Sequence, residues 1–75
     1  MTIIGQQVRD ARKLLEWSRV KLAARSRITN QTVWNIETGK VRPRARTVQM
    51  IGRALEAAGV EFAEGEPGVR LKAKP

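Results

Sequence analysis

Three features of the sequence predict a small all-α fold of four helices that ends in a short C-terminal β-hairpin. Apolar residues recur every three or four positions as far as Ala58, which is the spacing of amphipathic helices. After Gly59 they alternate with polar residues, which is the period of a strand. The chain has only 75 residues, enough for one small hydrophobic core. We therefore expect a helical domain over residues 1–59 and a hairpin with a tail over residues 60–75.

The first two helices are predicted from one apolar stripe and from two capping residues. The stripe has spacings of four, three and four and consists of Ile4, Val8, Ala11 and Leu15. Ser18 is a favourable N-cap for a second, short helix. Its apolar residues are Val20, Leu22 and Ala23. It is expected to end near Ser26, because Thr29 is suited to cap the next helix.

The third predicted helix covers residues 30–38, with Val33 and Ile36 as its inward pair. Gly39 is expected to end it, because glycine adopts the left-handed conformation without a Cβ clash.

A loop over residues 40–44 precedes the fourth predicted helix, since Pro43 disfavours a helical conformation at the residue before it. The fourth helix is expected from Ala45 to Ala58, with Gly59 as its stop. Its inward stripe consists of Val48, Ile51 and Leu55.

The hairpin is predicted from two short alternating segments on either side of a turn-rich stretch, residues 64–68. An isolated hairpin is marginally stable in water, and its free edge can pair with another chain. We therefore expect this element to form a homodimer. The residues predicted to make the dimer are Val60, Phe62, Val69 and Leu71. The last residues, 72–75, are expected to form a frayed end.

Charge divides the chain into two parts. The whole sequence carries fifteen Lys and Arg against seven Asp and Glu, a net charge of +8. Residues 1–53 hold twelve of the basic and three of the acidic groups, whereas residues 54–75 are slightly acidic. Such a split favours a polyanion as the partner of the first part, and double-stranded DNA is the partner that we predict.

Composition also argues against several functions. The chain has no Cys and therefore no thiolate nucleophile or thiolate metal site. It has no His, which removes the commonest general base and the commonest zinc ligand. Asp10 is the only Asp, and the Glu residues show no spacing typical of a catalytic pair. We therefore expect no enzyme activity, no metal, no cofactor and no small-molecule ligand. No apolar run approaches the roughly 20 residues that span a bilayer, and no signal peptide is evident, so we expect a soluble, cytoplasmic protein without a membrane partner.

Residues 19–38 form a helix–turn–helix candidate. The major groove of DNA admits one helix, and a second helix lying across it can brace the first against the phosphates. The basic character of this part of the chain would then supply affinity through counterion release.

The same segment resembles a family. Residues 17–23 (WSRVKLA) and 29–40 (TNQTVWNIETGK) are similar to the helix–turn–helix of Cro/CI-type (XRE) regulators. The match extends over residues 4–59 and includes Pro43, Thr47, Ile51, Ala54 and Leu55. It departs at Arg19, where Gln is usual, and at Lys21, where Glu is usual. A hairpin also replaces the fifth helix of many members, as in a subgroup of short bacterial members with a C-terminal strand extension.

The resemblance implies a lambda-repressor-like DNA-binding domain in a bacterial, nucleoid-associated protein. It further implies a dimer that reads a palindromic operator. Because the sequence offers no ligand-sensing domain, we expect the dimer to act as a repressor that occludes this operator. In the family, an ion pair between the positions of Arg12 and Glu37 ties the first helix to the end of the third. Arg44 matches a position that reaches the minor groove in phage repressors.

If Val33 and Ile36 face inward, four residues share the outward side of the third helix. They are the predicted base contacts Asn30, Gln31, Trp34 and Asn35. Asn and Gln can pair bidentately with adenine in the major groove, although exposed amides can also merely be solvated. In the family, the positions of Asn30, Gln31 and Asn35 read bases. For Trp34, a contact with a sugar or a thymine methyl and packing over the second or fourth helix are both open.

The predicted phosphate and minor-groove contacts surround this helix, and four of them fall within residues 40–46. They are Arg19, Lys21, Thr29, Lys40, Arg42, Arg44 and Arg46, with Arg25 as a further candidate. A single Lys or Arg is more often simply solvated, so the hypothesis rests on the cluster.

A protein-binding module on the same fold is the alternative function, because a fold does not fix a function. Such an antitoxin or antiactivator would use Phe62 and Leu71 to grip a second regulatory protein. A membrane-surface helix fits poorly, since the basic residues do not share one helix with a large apolar face.

Overall fold

Four helices and a two-stranded antiparallel sheet make up the computed structural model, which describes residues 5–62 and 68–72. The elements in chain order are α1 (Gly5–Leu14), α2 (Arg19–Ser26), α3 (Asn30–Glu37), α4 (Ala45–Ala57), β1 (Val60–Phe62) and β2 (Val69–Leu71). The predicted all-α fold with a C-terminal hairpin is therefore confirmed. Three parts of the predicted elements lie outside the described residues: Ile4, residues 64–67 of the turn and residues 73–75 of the tail.

The predicted capping residues set the helix boundaries. Ser18 Oγ accepts a hydrogen bond from the backbone N–H of Lys21 at 3.1 Å, and Thr29 Oγ1 accepts one from Thr32 at the same distance. Each side chain thus satisfies a backbone donor that a helix start leaves free. Gly39 follows α3 with φ +74°, in the left-handed region that favours glycine.

All four helices and both strands contribute to one core. Its members have at most 5% of their surface exposed, and they are Val8, Ala11, Leu22, Ala23, Val33, Ile36, Ile51, Leu55, Val60 and Val69. Five partly buried residues pack around it: Leu15, Trp17, Ile28, Val48 and Phe62. Val20 differs from the other apolar residues of α2, because 63% of it is exposed.

The hairpin lies against the helices with one face. β1 and β2 pair in the register Val60 with Leu71 and Phe62 with Val69, and the sheet contacts α1 and α4. Opposite residues of an antiparallel pair project to the same side, so these four side chains share the face turned toward the helices. Leu71, at the end of β2, remains 47% exposed. Glu61 and Arg70 lie on the other face and form an ion pair of 2.8 Å.

Two local backbone features position the helices. A Cβ atom at Gly5 would collide with the carbonyl oxygen of Ile36, so the start of α1 can lie against the end of α3 only with glycine there. Arg27 follows α2 in the left-handed conformation, with φ +58°, although it is not glycine. This residue makes the tight turn between α2 and α3.

Candidate nucleic-acid interface

The turn between α2 and α3 fixes the two helices relative to each other. The backbone N–H of Ile28 donates to the carbonyl oxygen of Ala23 at 3.0 Å, and the side chain of Ile28 packs on the core. α2 contacts both α3 and α4, so the helix–turn–helix is held from two sides. The turn and the two helices on either side of it are therefore packed together.

A buried carboxylate anchors the other end of α3. The Glu37 side chain is 1% exposed, and its oxygens accept hydrogen bonds from Arg12 Nε at 2.8 Å and from an Arg12 terminal nitrogen at 3.1 Å. Arg12 also donates to the carbonyl oxygen of Trp17 at 3.0 Å. The ion pair implied by the family resemblance is thus confirmed. Because Arg12 lies on α1 and Glu37 ends α3, the pair holds these two helices together.

Arg19 makes a second ion pair with the same carboxylate, which the sequence does not predict. Its Nε lies 3.3 Å from a Glu37 oxygen, and its side chain remains 40% exposed. The two residues stand 18 positions apart across a turn, so no periodic pattern points to the contact. This pair ties the start of α2 to the end of α3.

The outward side of α3 carries the residues that the sequence predicts there. Asn30 and Gln31 are exposed and Asn35 is half-buried, whereas Val33 lies in the core. Gln31 Nε2 donates to Asn35 Oδ1 at 2.9 Å. Gln31 keeps one N–H and its Oε1 for another partner, which is the donor and acceptor set that an adenine edge requires.

Trp34 lies on this surface with 39% of it exposed. The guanidinium carbon of Arg19 is 4.7 Å from the centre of the indole ring, so Trp34 contacts the start of α2. Arg19, Asn30, Gln31 and Trp34 line a groove of about 280 Å³. A cation, an aromatic ring and two amides therefore meet at one exposed point.

The other predicted phosphate contacts on α2 and at its end have partners within the chain. Lys21 Nζ lies 5.3 Å and the Arg25 guanidinium 5.8 Å from the centre of the Trp17 ring. Thr29 Oγ1 and Thr32 Oγ1 form a hydrogen bond of 2.7 Å in addition to the cap. Thr29 thus has a capping role whether or not it meets a phosphate.

The remaining predicted phosphate contacts follow α3. Lys40, Arg42, Arg44 and Arg46 are all exposed. None of them takes part in an ion pair among residues 5–62 and 68–72. Arg44 precedes α4 in an extended conformation, and it makes no side-chain cap there. Four exposed cations without an ion-pair partner in the described residues therefore follow α3 along the chain.

The four residues predicted to form a dimer differ in how far their side chains are buried. Val60 and Val69 are buried in the core of the chain itself, and Phe62 is half-buried against it. Leu71 is 47% exposed at the end of β2. The described sheet has two strands, so each strand leaves one edge without a backbone partner.

Residues 5–62 and 68–72 offer neither a metal site nor a membrane-spanning helix. They contain no group of three or more acidic, His or Cys residues that could hold a metal ion. No helix in this part of the chain is long and apolar enough to span a bilayer.

Comparison with known proteins gives a match to a family model. A family model described as a helix-turn-helix domain matches residues 3–65, which is most of the chain. No curated protein matches the chain. The matched region contains α2, α3 and the basic segment between α3 and α4.

Proposed function

Because the chain belongs to the helix-turn-helix domain family, whose members bind DNA, we propose that it is a transcriptional regulator that reads a specific duplex sequence through α3. One observation carries this proposal. The outward face of α3 presents Asn30, Gln31 and Trp34 in a groove that they share with Arg19. In this arrangement the amides of Asn30 and Gln31 contact base edges in the major groove, and Asn35 supports Gln31.

The basic residues around α3 support binding to the DNA backbone. Lys40, Arg42 and Arg46 are exposed and have no ion-pair partner in the described part of the chain. In our proposal they contact phosphates, while Arg44 enters the minor groove, where a narrow A·T-rich segment attracts a cation. Arg19, Lys21 and Thr29 contact phosphates at the start of the two helices.

Replacing Arg42 with alanine is expected to weaken binding to all duplexes alike, because a phosphate contact carries no sequence information. The slope of log Kobs against log[salt] should fall in magnitude by about 0.9. Fluorescence anisotropy between ~50 and ~200 mM salt measures this slope. Lys13→Ala removes an exposed cation from α1 and should leave the slope unchanged. A loss confined to one duplex sequence would instead make Arg42 a base reader.

We further propose that the chain acts as a homodimer of the Cro/CI type that represses transcription in bacteria. A two-fold symmetric dimer reads a palindrome, with half-sites one helical turn apart. The exposed Leu71 and the open edge of the hairpin are the surfaces available for pairing. The hairpin is held against the core by Val60, Val69 and the inner side of Phe62.

Leu71→Asp is expected to convert the dimer into a monomer with a folded core, because it puts a charge on an exposed apolar surface. Light scattering of the free protein measures the change in mass. Phe62→Asp should have the same effect but also destabilise the fold, since Phe62 packs on the core. Val41→Asp is the matched control, as Val41 is 50% exposed in the loop after α3. A monomeric wild type would favour the alternative function, in which the hairpin binds a different protein.

Selection from a random pool of duplexes tests the proposed function directly. A sequence-specific dimer should enrich a palindrome whose half-sites lie about 10 base pairs apart. A pool without any enriched sequence, recovered with protein that is folded by circular dichroism, would contradict sequence-specific recognition.

A further inference from the structure

A second groove, which we call the α2–α4 groove, lies between the end of α2 and one face of α4. It has a volume of about 500 Å³ and shares no lining residue with the groove beside Trp34. Four arginines line it, namely Arg25, Arg27, Arg46 and Arg53, and none of its lining residues is acidic. Cations gathered around one cleft repel one another unless an anion lies between them.

The sequence brings these arginines together from two elements. Arg46 and Arg53 are seven residues apart on α4, so they share one face of that helix with Gln49. Arg25 lies in the last turn of α2, and Arg27 follows the helix in the left-handed conformation. The sequence shows the spacing of the two arginines within α4, but it does not show that this face of α4 lies beside the end of α2.

Arg25 also lies over the Trp17 ring, but no feature of the described residues accounts for all four charges. None of the four belongs to an ion pair among those residues. The negative end of the α2 dipole favours cations at Arg25 and Arg27. Arg46, however, lies in the first turn of α4, where the helix dipole opposes a cation. Arg53 lies in the middle of α4, away from either end.

Ser26 supplies an independent sign that the groove takes a ligand. It is 2% exposed, and it lines the groove together with the arginines. Its Oγ has no hydrogen-bond partner within the protein. Buried hydroxyl groups in native proteins nearly always have a partner, so an acceptor in the groove would satisfy this one.

We propose that the α2–α4 groove is a phosphate-binding site. Phosphate oxygens would accept hydrogen bonds from Ser26 Oγ and from the surrounding guanidinium groups, which match phosphate geometry bidentately. The phosphate has two possible sources, the backbone of bound DNA or a free polyphosphate. The first source rests on the proposed function, and the second does not.

The first test uses pyrophosphate and no DNA. Addition of sodium pyrophosphate to the ¹⁵N-labelled chain should shift the amide resonances of Ser26, Arg27 and Arg53. The double variant Arg27→Gln/Arg53→Gln should weaken this binding by roughly tenfold or more, because two charged contacts are lost. Lys13→Gln/Lys72→Gln removes the same charge at exposed positions outside the groove and should leave the affinity within about twofold.

Ser26→Ala tests the same site without changing its charge. The variant should bind pyrophosphate several-fold more weakly, because one donor is lost. Its Tm should not fall, since the hydroxyl has no partner in the protein to lose. A lower Tm with unchanged pyrophosphate affinity would count against the proposal.

The second test measures the salt dependence of DNA binding with the same two double variants. A backbone phosphate in the groove predicts that Arg27→Gln/Arg53→Gln lowers the salt slope by about two units relative to the control pair. The site is supported if pyrophosphate binding is lost with the two arginines, which identifies a free polyphosphate as the source. It is also supported if the salt slope falls with them, which identifies the DNA backbone. If neither response distinguishes the folded double variant from the control, the proposal is overturned. A wild type that binds pyrophosphate but no DNA would contradict the proposed function alone.

Discussion

Glu37→Ala is expected to destabilise the helix–turn–helix strongly, with a loss of about 3 kcal/mol in the free energy of unfolding. The carboxylate is 1% exposed and neutralises Arg12, whose side chain is only 13% exposed. Its removal leaves the Arg12 guanidinium largely buried without a counter-charge, and it also frees Arg19. A chain this small has few kcal/mol to lose, so much of the population should unfold near physiological temperature.

Urea denaturation followed by circular dichroism measures this loss. Glu56→Ala removes an exposed carboxylate from α4 and should change the unfolding free energy by no more than about 0.5 kcal/mol. Glu37→Gln keeps the shape of the side chain and should fall between the two. A loss below about 1 kcal/mol for Glu37→Ala would mean that Arg12 and Arg19 find water or other partners, and that the anchor of α3 lies elsewhere.

Gln31→Ala is expected to have the largest effect on sequence recognition. It should cost about 1–3 kcal/mol on the preferred duplex, or roughly 5- to 150-fold in affinity. The reason is that Gln31 presents one N–H and Oε1 beyond its hydrogen bond to Asn35. The variant should also accept other bases at one position of each half-site, because its discrimination there is lost.

Anisotropy titrations with the preferred duplex and with single-base variants of it measure this change. Gln6→Ala, an exposed glutamine of α1, is the matched control and should bind like the wild type. An equal loss on every duplex would show that Gln31 contributes no base reading. Since Gln31 is exposed, the unfolding free energy of the variant should stay close to that of the wild type.

The helices were predictable because their signals are local. The side chains of Ser18 and Thr29 accept hydrogen bonds from backbone N–H groups three residues away. Gly39 adopts the left-handed conformation because it is glycine. The apolar stripes predicted which side of α3 faces outward, and hence the exposure of Asn30 and Gln31. These features depend on a few consecutive residues, so neighbouring sequence determines them.

The features that were not predictable depend on contacts between distant residues. Gly5 is required by the carbonyl of Ile36, and Glu37 neutralises Arg19 as well as Arg12. The alternation around Val60 predicted a strand, but it could not tell that the protein's own helices cover that side chain. The α2–α4 groove was missed for the same reason, because Arg27 and Arg53 meet only in the folded chain.

The most direct test of sequence reading by α3 is the ratio of affinities for two duplexes. One is the duplex most enriched by selection, and the other is a shuffled duplex of the same composition and length. Both are titrated at ~150 mM salt, because affinity for DNA depends steeply on salt. We expect a preference of roughly 10³-fold or more for the selected duplex, and its reduction by Gln31→Ala. Equal affinity for the two duplexes would contradict sequence recognition and would leave a basic surface that binds any polyanion.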